Sequence, residues 1–334
     1  MWHIGIDLHR ATVVIAAVDD SGRAVEPARI ACRDTDAILG AVDRLRPFRA
    51  VIEATSNYRW LYDLLSPHGT VLVAHPLRLR AMVQRRSKTD KLDSQLLANL
   101  LRIDRVPLSY VPPRAYQHLR EVTRFRVRLT RGKAEAKVGL RALLARHNRV
   151  APYRVPFGPR GLAWFAEQEF GPIDNDVRDE LMARLGHYRK QLSGVDARLE
   201  ALRAEFPQVE ALLDLRGIGL YTALVVVAEL GEVGRFRSAR QVGAYAGLTA
   251  RVRQSGDHCR HGSITREGSP LLRWVLTEAA MKVIKQDAAL RNFYTRVRKR
   301  SNAETARVAV ARKLAEIRWK RLRRWHRQKE GTAA

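Results

Sequence analysis

The spacing of apolar positions predicts alternating strands and helices in the first hundred residues. Apolar residues fill "WHIGIDLH" and "ATVVIAAVDD", which predict two strands, and "DDSGR" after the second strand is a typical hairpin turn. Further strands are predicted in "RAVEPARIACR", "RAVIEAT" and "TVLVAHP", with helices in "TDAILGAVDRLR" and "NYRWLYDLLSPHG". Three hairpin-linked strands followed by strand–helix alternation favour a mixed sheet with helices on its faces.

The pattern becomes helical after "VPLSYVPPR", which has the composition of a domain boundary. Residues 114–149 predict one long basic helix, and a second long helix follows the interruption "APYRVPFGPRGLAWF". The second helix carries an apolar seam with the 4-3 spacing of a coiled coil, formed by Leu181, Leu185, Tyr188, Leu192, Val195, Leu199 and Leu202. The seam can pair with the basic helix before it or with another protomer. We favour a homo-oligomer, a dimer or a tetramer, because an exposed seam would promote aggregation.

These patterns predict an α/β region followed by all-α regions. The first domain spans residues 1–110, and residues 111–206 hold the basic helix and the coiled-coil segment. A compact helical domain is predicted for residues 207–292, in which "GLTARVRQSGDHCRHGSITREGS" is a polar loop before a helix that begins near Pro270. Residues 293–334 form a basic C-terminal helix or tail.

The charge of the chain indicates a polyanionic partner. The 334 residues include 61 Lys and Arg against 34 Asp and Glu, a formal net charge of +27. The basic residues are spread over most of the chain, which favours nucleic acid over a membrane surface. Cys32 and Cys259 cannot form a disulfide framework, and each apolar run is too short to cross a bilayer. We therefore expect a soluble, cytoplasmic protein that associates with the nucleoid and not with a membrane.

Four acidic residues are candidate metal ligands. Asp7 lies in the apolar first strand, and Glu53 ends the fourth strand. Asp90 and Asp93 lie three residues apart on one face of an amphipathic helix. Such a cluster raises its pKa values or binds a cation, and its oxygen ligands suit Mg²⁺ or Mn²⁺. The alternative is structural, with Asp90 as an N-cap and Asp93 as an acid in the first helical turn.

Two further motifs are candidate sites. Ser255 precedes Gly256 in the Arg-rich loop, where it is either a nucleophile or an ordinary turn residue. Gly217-Ile218-Gly219 lies between two apolar helical stretches and resembles a helix-hairpin-helix, whose backbone N–H groups can hold a phosphate. The alternative there is a glycine C-cap in a helical hairpin.

Several motifs occur together and in a fixed order. They are "GID", "IEAT", "KTDKLD", "GIG", "RFRSARQVGAYAGLTARVRQSG" and "LLRWVLTEAAM". Together they resemble the insertion-sequence transposases with an N-terminal DEDD, RuvC-like domain and a C-terminal serine-bearing transposase domain, now called bridge-RNA recombinases. The resemblance extends over nearly the whole chain.

This resemblance implies an RNase H-like fold for the first domain and a serine transposase domain in residues 207–292. It assigns Asp7, Glu53, Asp90 and Asp93 to the DEDD metal site and Ser255 to the catalytic serine. It also implies that the serine forms a covalent link to a DNA strand end. A structured non-coding RNA, the guide or bridge RNA, pairs with donor and target DNA, so that base pairing sets specificity.

Two other functions remain open from the residues. One is a metal-dependent RuvC-like nuclease or junction resolvase in which water is the nucleophile. The other is a nucleic-acid-binding protein without catalysis. All three predict contacts with phosphates, for which the candidate residues are Gly217, Gly219, Arg251, Arg253, Arg260, Arg124, Arg128 and Arg131.

Overall fold

The computed structural model describes residues 1–82, 90–214, 217–255 and 258–332. Its backbone separates into two compact units, Met1–Val111 and Pro112–Ala334. The further division of the second unit into three domains stays a prediction.

A five-stranded mixed sheet forms the centre of the first unit. Its strands are β1 (Trp2–Leu8), β2 (Thr12–Asp19), β3 (Ala24–Ala31), β4 (Phe48–Glu53) and β5 (Thr70–Ala74). They lie in the order β3-β2-β1-β4-β5, with antiparallel pairing of β1 with β2 and of β2 with β3. The pairs β1–β4 and β4–β5 are parallel. The predicted mixed sheet is therefore confirmed, and its arrangement is consistent with an RNase H-like fold.

Within the described residues of this unit, four helices accompany the sheet. They are α1 (Thr35–Asp43), α2 (Tyr58–Leu65), α3 (Pro76–Met82) and α4 (Asp90–Arg102). The carboxylate of Asp34 caps α1 by accepting a hydrogen bond from the backbone N–H of Ala37 at 3.0 Å. Helix α3 was not predicted, because its seven residues are too few to show a helical period.

Successive side chains of β1 and β4 point to opposite faces of the sheet, and each face packs against a separate apolar layer. Ile4, Ile6 and Leu8 pack with residues of α1 and α2 on one face of the sheet. Val51 on β4 packs with Leu97 and other residues of α4 on the opposite face. Because successive side chains of a strand point to opposite faces, Asp7 and Glu53 belong to the face that α4 covers.

Two long helices begin the second unit, α5 (Arg114–Arg146) and α7 (Pro172–Leu202), with the short helix α6 (Pro159–Ala166) between them. The seam of α7 packs against α5 of the same chain: Leu185 lies in one core cluster with Leu140 and Leu144. The first of the two pairings left open by the sequence is therefore the observed one. The homo-oligomer was predicted because the seam would otherwise be exposed. Since α5 covers these side chains, that reason no longer applies.

The remainder of the second unit consists of short helices, a hairpin and a long C-terminal helix. Its elements are α8 (Glu210–Leu213), α9 (Leu220–Leu230), α10 (Ala239–Tyr245), β6 (Ala250–Ser255), β7 (His258–Ile264), α11 (Pro270–Val283), α12 (Ala288–Arg300) and α13 (Ala303–Thr332). The prediction of a polar loop around Ser255 was wrong, because the chain there forms an antiparallel β-hairpin. The helix predicted near Pro270 is confirmed as α11.

One apolar core joins these elements. It includes Leu224 and Val227 of α9, Leu276 of α11, and Val310 and Leu314 of α13. Trp319 of α13 extends the same core and donates a hydrogen bond from its indole Nε1–H to the backbone carbonyl of Val233 at 3.1 Å. The basic C-terminal helix thus has one face that stabilises the second unit.

Candidate metal centre and nucleic-acid surfaces

Asp7 is a largely buried acid next to the end of the central strand. Its side chain is 13% exposed, and it lies on the face of β1 that packs against α4. Ile6 pairs with Ile52 across the parallel β1–β4 ladder, so Asp7 and Glu53 occupy neighbouring positions at the carboxyl ends of adjacent strands. Helix α4 carries Asp90 and Asp93 in its first turn.

A histidine joins two of these acids. The Nε2 atom of His9 lies 3.1 Å from Oδ2 of Asp7 and 3.1 Å from Oδ1 of Asp90. The ligand atoms of these three residues all lie within 4.8 Å of one another. Nη2 of Arg29 on β3 is 3.6 Å from the other carboxylate oxygen of Asp90. The structure therefore brings together potential metal-ligand atoms from β1, from the turn that follows it, and from α4.

Electrostatics at this cluster favour a bound cation. Burial raises the pKa of Asp7 above its ordinary value, and the neighbouring charges of Asp93 and Asp90 raise it further. The charge of His9 and its hydrogen bond to Asp7 both lower the pKa of Asp7. A divalent ion would relieve both the desolvation and the mutual repulsion of the carboxylates. The residues present thus fit a hard or borderline divalent cation.

The four predicted acids contribute unequally to this arrangement. Asp7 and Asp90 belong to the tight cluster, and Asp93 is near enough for its charge to act on Asp7. Glu53 is placed beside Asp7 by the strand register. Among the described residues, the tight cluster includes neither Glu53 nor Asp93. The role of each acid as a metal ligand stays a prediction.

Sequence reasoning missed His9 and Arg29. His9 follows Asp7 by two residues, and this interval was a usable signal because positions two apart near a strand share a face. Arg29 gave no such signal, since its approach to Asp90 depends on how β3 and α4 pack. Both residues are accessible, with side chains 44% and 64% exposed.

Ser255 is the last residue of β6 and pairs with His258 at the end of the hairpin. The two residues between them, Gly256 and Asp257, lie outside the described residues, as do the side chains of Ser255, Arg253 and Arg260. The backbone register nevertheless pairs Arg253 with Arg260. Arg251 is exposed and donates from Nη2 to the carbonyl oxygen of Thr265 at 3.3 Å.

The glycine motif forms the turn before α9. Gly217 has φ +82°, a left-handed conformation that favours glycine. Gly219 is the N-cap residue of α9, and Ile218 between them is buried in the core of the second unit. The first N–H groups of α9 follow directly after this turn, which is where the predicted phosphate site would lie. Phosphate binding by Gly217 and Gly219 stays a prediction.

The three arginines proposed on the basic helix differ in their surroundings. Arg124, Arg128 and Arg131 all lie on an exposed stripe of α5. Arg124 is also a structural residue, because its Nε and Nη2 atoms lie 2.9 and 3.0 Å from the two carboxylate oxygens of Glu229. Glu229 is 1% exposed, so this ion pair is largely shielded from water at the Glu229 end and stabilises the packing of α5 against α9. Arg128 and Arg131 remain the better candidates for nucleic acid.

Comparison with known proteins relates two stretches of the chain to families of transposases. A model described as a transposase, for the DEDD transposases of the IS110 type, matches residues 4–148. A second model, described as the IS116/IS110/IS902 family of transposases, matches residues 209–295.

None of the helices within the described residues combines the length and apolar character that a bilayer crossing requires.

Individual relatives agree with these matches. A Sinorhizobium fredii protein named as transposase y4qE is 28% identical over 228 residues. These residues are 66% of this chain and 54% of the relative, so the chain spans about half of that protein. A Pseudomonas aeruginosa protein named as a family 20 transposase is 27% identical over 84% of this chain and 86% of its own. The transposase for insertion sequence element IS1328 of Yersinia enterocolitica is 23% identical over 95% of both chains. The chain belongs to the IS116/IS110/IS902 family of insertion-sequence transposases, DNA-recombining enzymes with an N-terminal DEDD domain and a C-terminal transposase domain of that family.

Proposed function

We propose that this transposase cuts and rejoins DNA through attack by Ser255 on a phosphodiester, assisted by a divalent ion, Mg²⁺ or Mn²⁺. The acids Asp7, Glu53, Asp90 and Asp93 hold the ion. A structured RNA directs the protein to donor and target DNA. The observation that carries the proposal is the meeting of Asp7 and Asp90, which are 83 positions apart in sequence, with ligand atoms within 4.8 Å.

The acid cluster supports metal-assisted phosphate chemistry. The Asp7 carboxylate is buried beside other acids, a placement that is costly without a cation. When bound, the ion supplies charge stabilisation to the scissile phosphate. The partial exposure of Asp90 leaves room for a phosphate oxygen to approach the same point. Arg29 would lie beside that phosphate as a further positive charge.

The serine step conserves the number of bonds to phosphorus. The Ser255 hydroxyl oxygen forms a bond to phosphorus while the bond to one strand end breaks, and that end leaves as a hydroxyl with the serine's proton. The reverse attack by a strand-end hydroxyl releases the serine and restores a phosphodiester, so rejoining needs no ATP. The placement of Ser255 as the last residue of β6, beside the turn of the hairpin, is the observation that supports this step.

The charge distribution supports nucleic-acid partners for the second unit. Arg253 and Arg260 occupy paired backbone positions of the hairpin, so this short element carries two basic residues at one level. The exposed Arg128 and Arg131 extend a basic surface along α5. In this proposal the RNA supplies sequence specificity by base pairing, and the protein contacts backbones. A homo-oligomer would supply the copies of the site needed for two DNA molecules.

A trapping experiment tests the chemical part of the proposal. The protein is incubated with its co-purified RNA, DNA that matches the RNA's single-stranded loops, and Mg²⁺, and covalent protein–DNA adducts are measured after denaturation. We expect adducts with the native protein and none with Ser255→Ala or Asp7→Asn, while both variants bind DNA normally. Free cut ends without adducts would instead indicate a nuclease that uses water. Binding without any cutting would indicate a protein without catalysis.

Sequencing the co-purified RNA tests the guidance part. We expect one structured species whose loops are complementary to both DNA partners. Changing a loop should redirect cutting to DNA with the compensating change. An unrelated mixture of cellular RNA, or cutting that ignores the loop sequence, would refute guidance without affecting the assignment of Ser255.

A further inference from the structure

His9 is placed differently from an ordinary surface histidine. One nitrogen, Nε2, faces carboxylate oxygens from two separate elements at the same distance of 3.1 Å. By contrast, Nδ1 of His68 in the same unit lies 3.1 Å from one carboxylate, that of Asp43, and 2.7 Å from Nη2 of Arg46. A contact with a single acid is sufficient to orient a ring. The convergence of two acids on one nitrogen calls for a further explanation.

These distances match the spacing of ligands around one ion. Adjacent ligand atoms of an octahedral ion with bonds of about 2.1 Å lie about 3.0 Å apart. The spacing between His9 Nε2 and each carboxylate oxygen is close to this value. The two oxygens and the nitrogen also lie within 4.8 Å of one another, as ligands of a single ion must.

We propose that His9 is a ligand of the divalent ion at the Asp7–Asp90 site, and that its nitrogen makes the site prefer Mn²⁺ to Mg²⁺. The inference rests on the proposed metal function and extends it to an additional ligand. Imidazole nitrogen binds first-row transition metals well, whereas Mg²⁺ strongly favours oxygen. Coordination uses the lone pair on Nε2, so the ring carries its hydrogen on Nδ1. No oxidation or group transfer is involved.

The direct test is pulsed electron paramagnetic resonance on the whole chain loaded with Mn²⁺. A directly coordinated imidazole nitrogen modulates the electron spin echo of the ion. We expect this modulation in the native protein and in His68→Gln. This variant is the matched control, because it replaces a histidine that contacts a single acid. His9→Gln should lose the modulation while it still binds Mn²⁺ through the carboxylates.

Metal affinities measured by calorimetry give a second readout. His9→Gln should weaken Mn²⁺ binding by at least about tenfold, a loss that is usual even when only a hydrogen-bonding partner of a metal ligand is removed. Its Mg²⁺ affinity should change by less than about twofold, since Mg²⁺ gains little from the nitrogen. The preference for Mn²⁺ over Mg²⁺ should therefore fall in this variant alone.

The outcomes separate this inference from the function on which it rests. If the native protein binds Mn²⁺ at a site that Asp7→Asn abolishes, but shows no nitrogen modulation, His9 is not a ligand and the metal function stands. Equal losses of Mn²⁺ and Mg²⁺ affinity in His9→Gln would also overturn the inference. If Asp7→Asn leaves binding of both ions unchanged, the metal site itself is wrong.

Discussion

Gly5 and Ser94 bring β1 and α4 so close together that a side chain on Gly5 has no room. A Cβ atom there would collide with the backbone carbonyl of Ser94 and the backbone nitrogen of Ala98. Ser94 itself is completely buried. Because Gly5 precedes Asp7 by two residues and Ser94 follows Asp93, this close packing sets how far the acids of α4 lie from the acid of β1.

Replacing Gly5 with alanine should disrupt both stability and metal binding. The added methyl group meets backbone atoms that cannot rotate away, so we expect a loss of about 1–3 kcal/mol in the free energy of unfolding. Displacement of α4 should also weaken Mn²⁺ binding. Urea unfolding and calorimetry measure the two effects. Gly40→Ala is the control, since a Cβ atom on Gly40 meets nothing within 4 Å and should not destabilise. Unchanged metal affinity in Gly5→Ala would show that the acids do not depend on this contact.

Arg124→Ala should destabilise the second unit. The substitution removes both hydrogen bonds to the buried carboxylate of Glu229 and leaves the weaker contact with Arg120, whose Nε atom is 3.9 Å from Oε2. We expect a loss of about 2–3 kcal/mol, which is below the roughly 3–5 kcal/mol typical of a broken buried ion pair because Arg124 is half exposed. Chemical denaturation followed by tryptophan fluorescence measures it. A change below about 0.5 kcal/mol would mean that the pair contributes little to stability.

Arg128→Ala and Arg131→Ala should have the opposite profile. Both residues are exposed on α5, so stability should change by less than about 0.5 kcal/mol. Each should weaken nucleic-acid binding and reduce the slope of log affinity against log salt by about 1, as expected for one lost phosphate contact. Fluorescence anisotropy at several salt concentrations measures this slope. An unchanged slope in both variants would remove this face of α5 from the nucleic-acid surface.

The sheet and the long helices were predictable because their signals are local. Buried strands such as β1 and β2 consist almost entirely of apolar residues, and α5 is long enough to show its period. Asp7 was predictable for the same reason, since an acid in an apolar strand is conspicuous. The seam of α7 was recognised from its spacing. Its partner was not, because a heptad pattern is the same for an intramolecular and an intermolecular helix.

The hairpin and the histidine were missed for different reasons. Strand β6 holds two arginines and an exposed Val252, so it lacks the apolar signal by which buried strands are recognised. His9 acquires its significance only when α4 brings Asp90 to it, and that approach depends on the backbone contact at Gly5. The two-residue interval could have placed His9 beside Asp7, but it could not reveal the contact with Asp90, which belongs to another element.

Tyr221→Phe should reveal a pH-dependent contribution to stability. The Tyr221 hydroxyl donates to the backbone carbonyl of Thr123 at 2.9 Å, and the Arg126 guanidinium lies 4.2 Å from the ring centre. Burial is the main reason that the pKa of Tyr221 rises from 10.0 to about 12, while Arg126 opposes the rise. Because the folded pKa is above the unfolded one, the contribution is fully present below pH 10 and is lost as pH rises toward 12.

At pH 8 the phenylalanine variant should therefore be less stable by about 1 kcal/mol, the usual value of one hydrogen bond. The difference between native protein and variant should shrink as pH rises from about 10 to 12, because ionisation of Tyr221 in the unfolded chain penalises only the native protein. Urea unfolding of both proteins at pH 8 and pH 11 measures this, and comparing the two proteins cancels the titration of all other groups. A difference that stays constant with pH would show that Tyr221 ionises equally readily in the folded and unfolded chains.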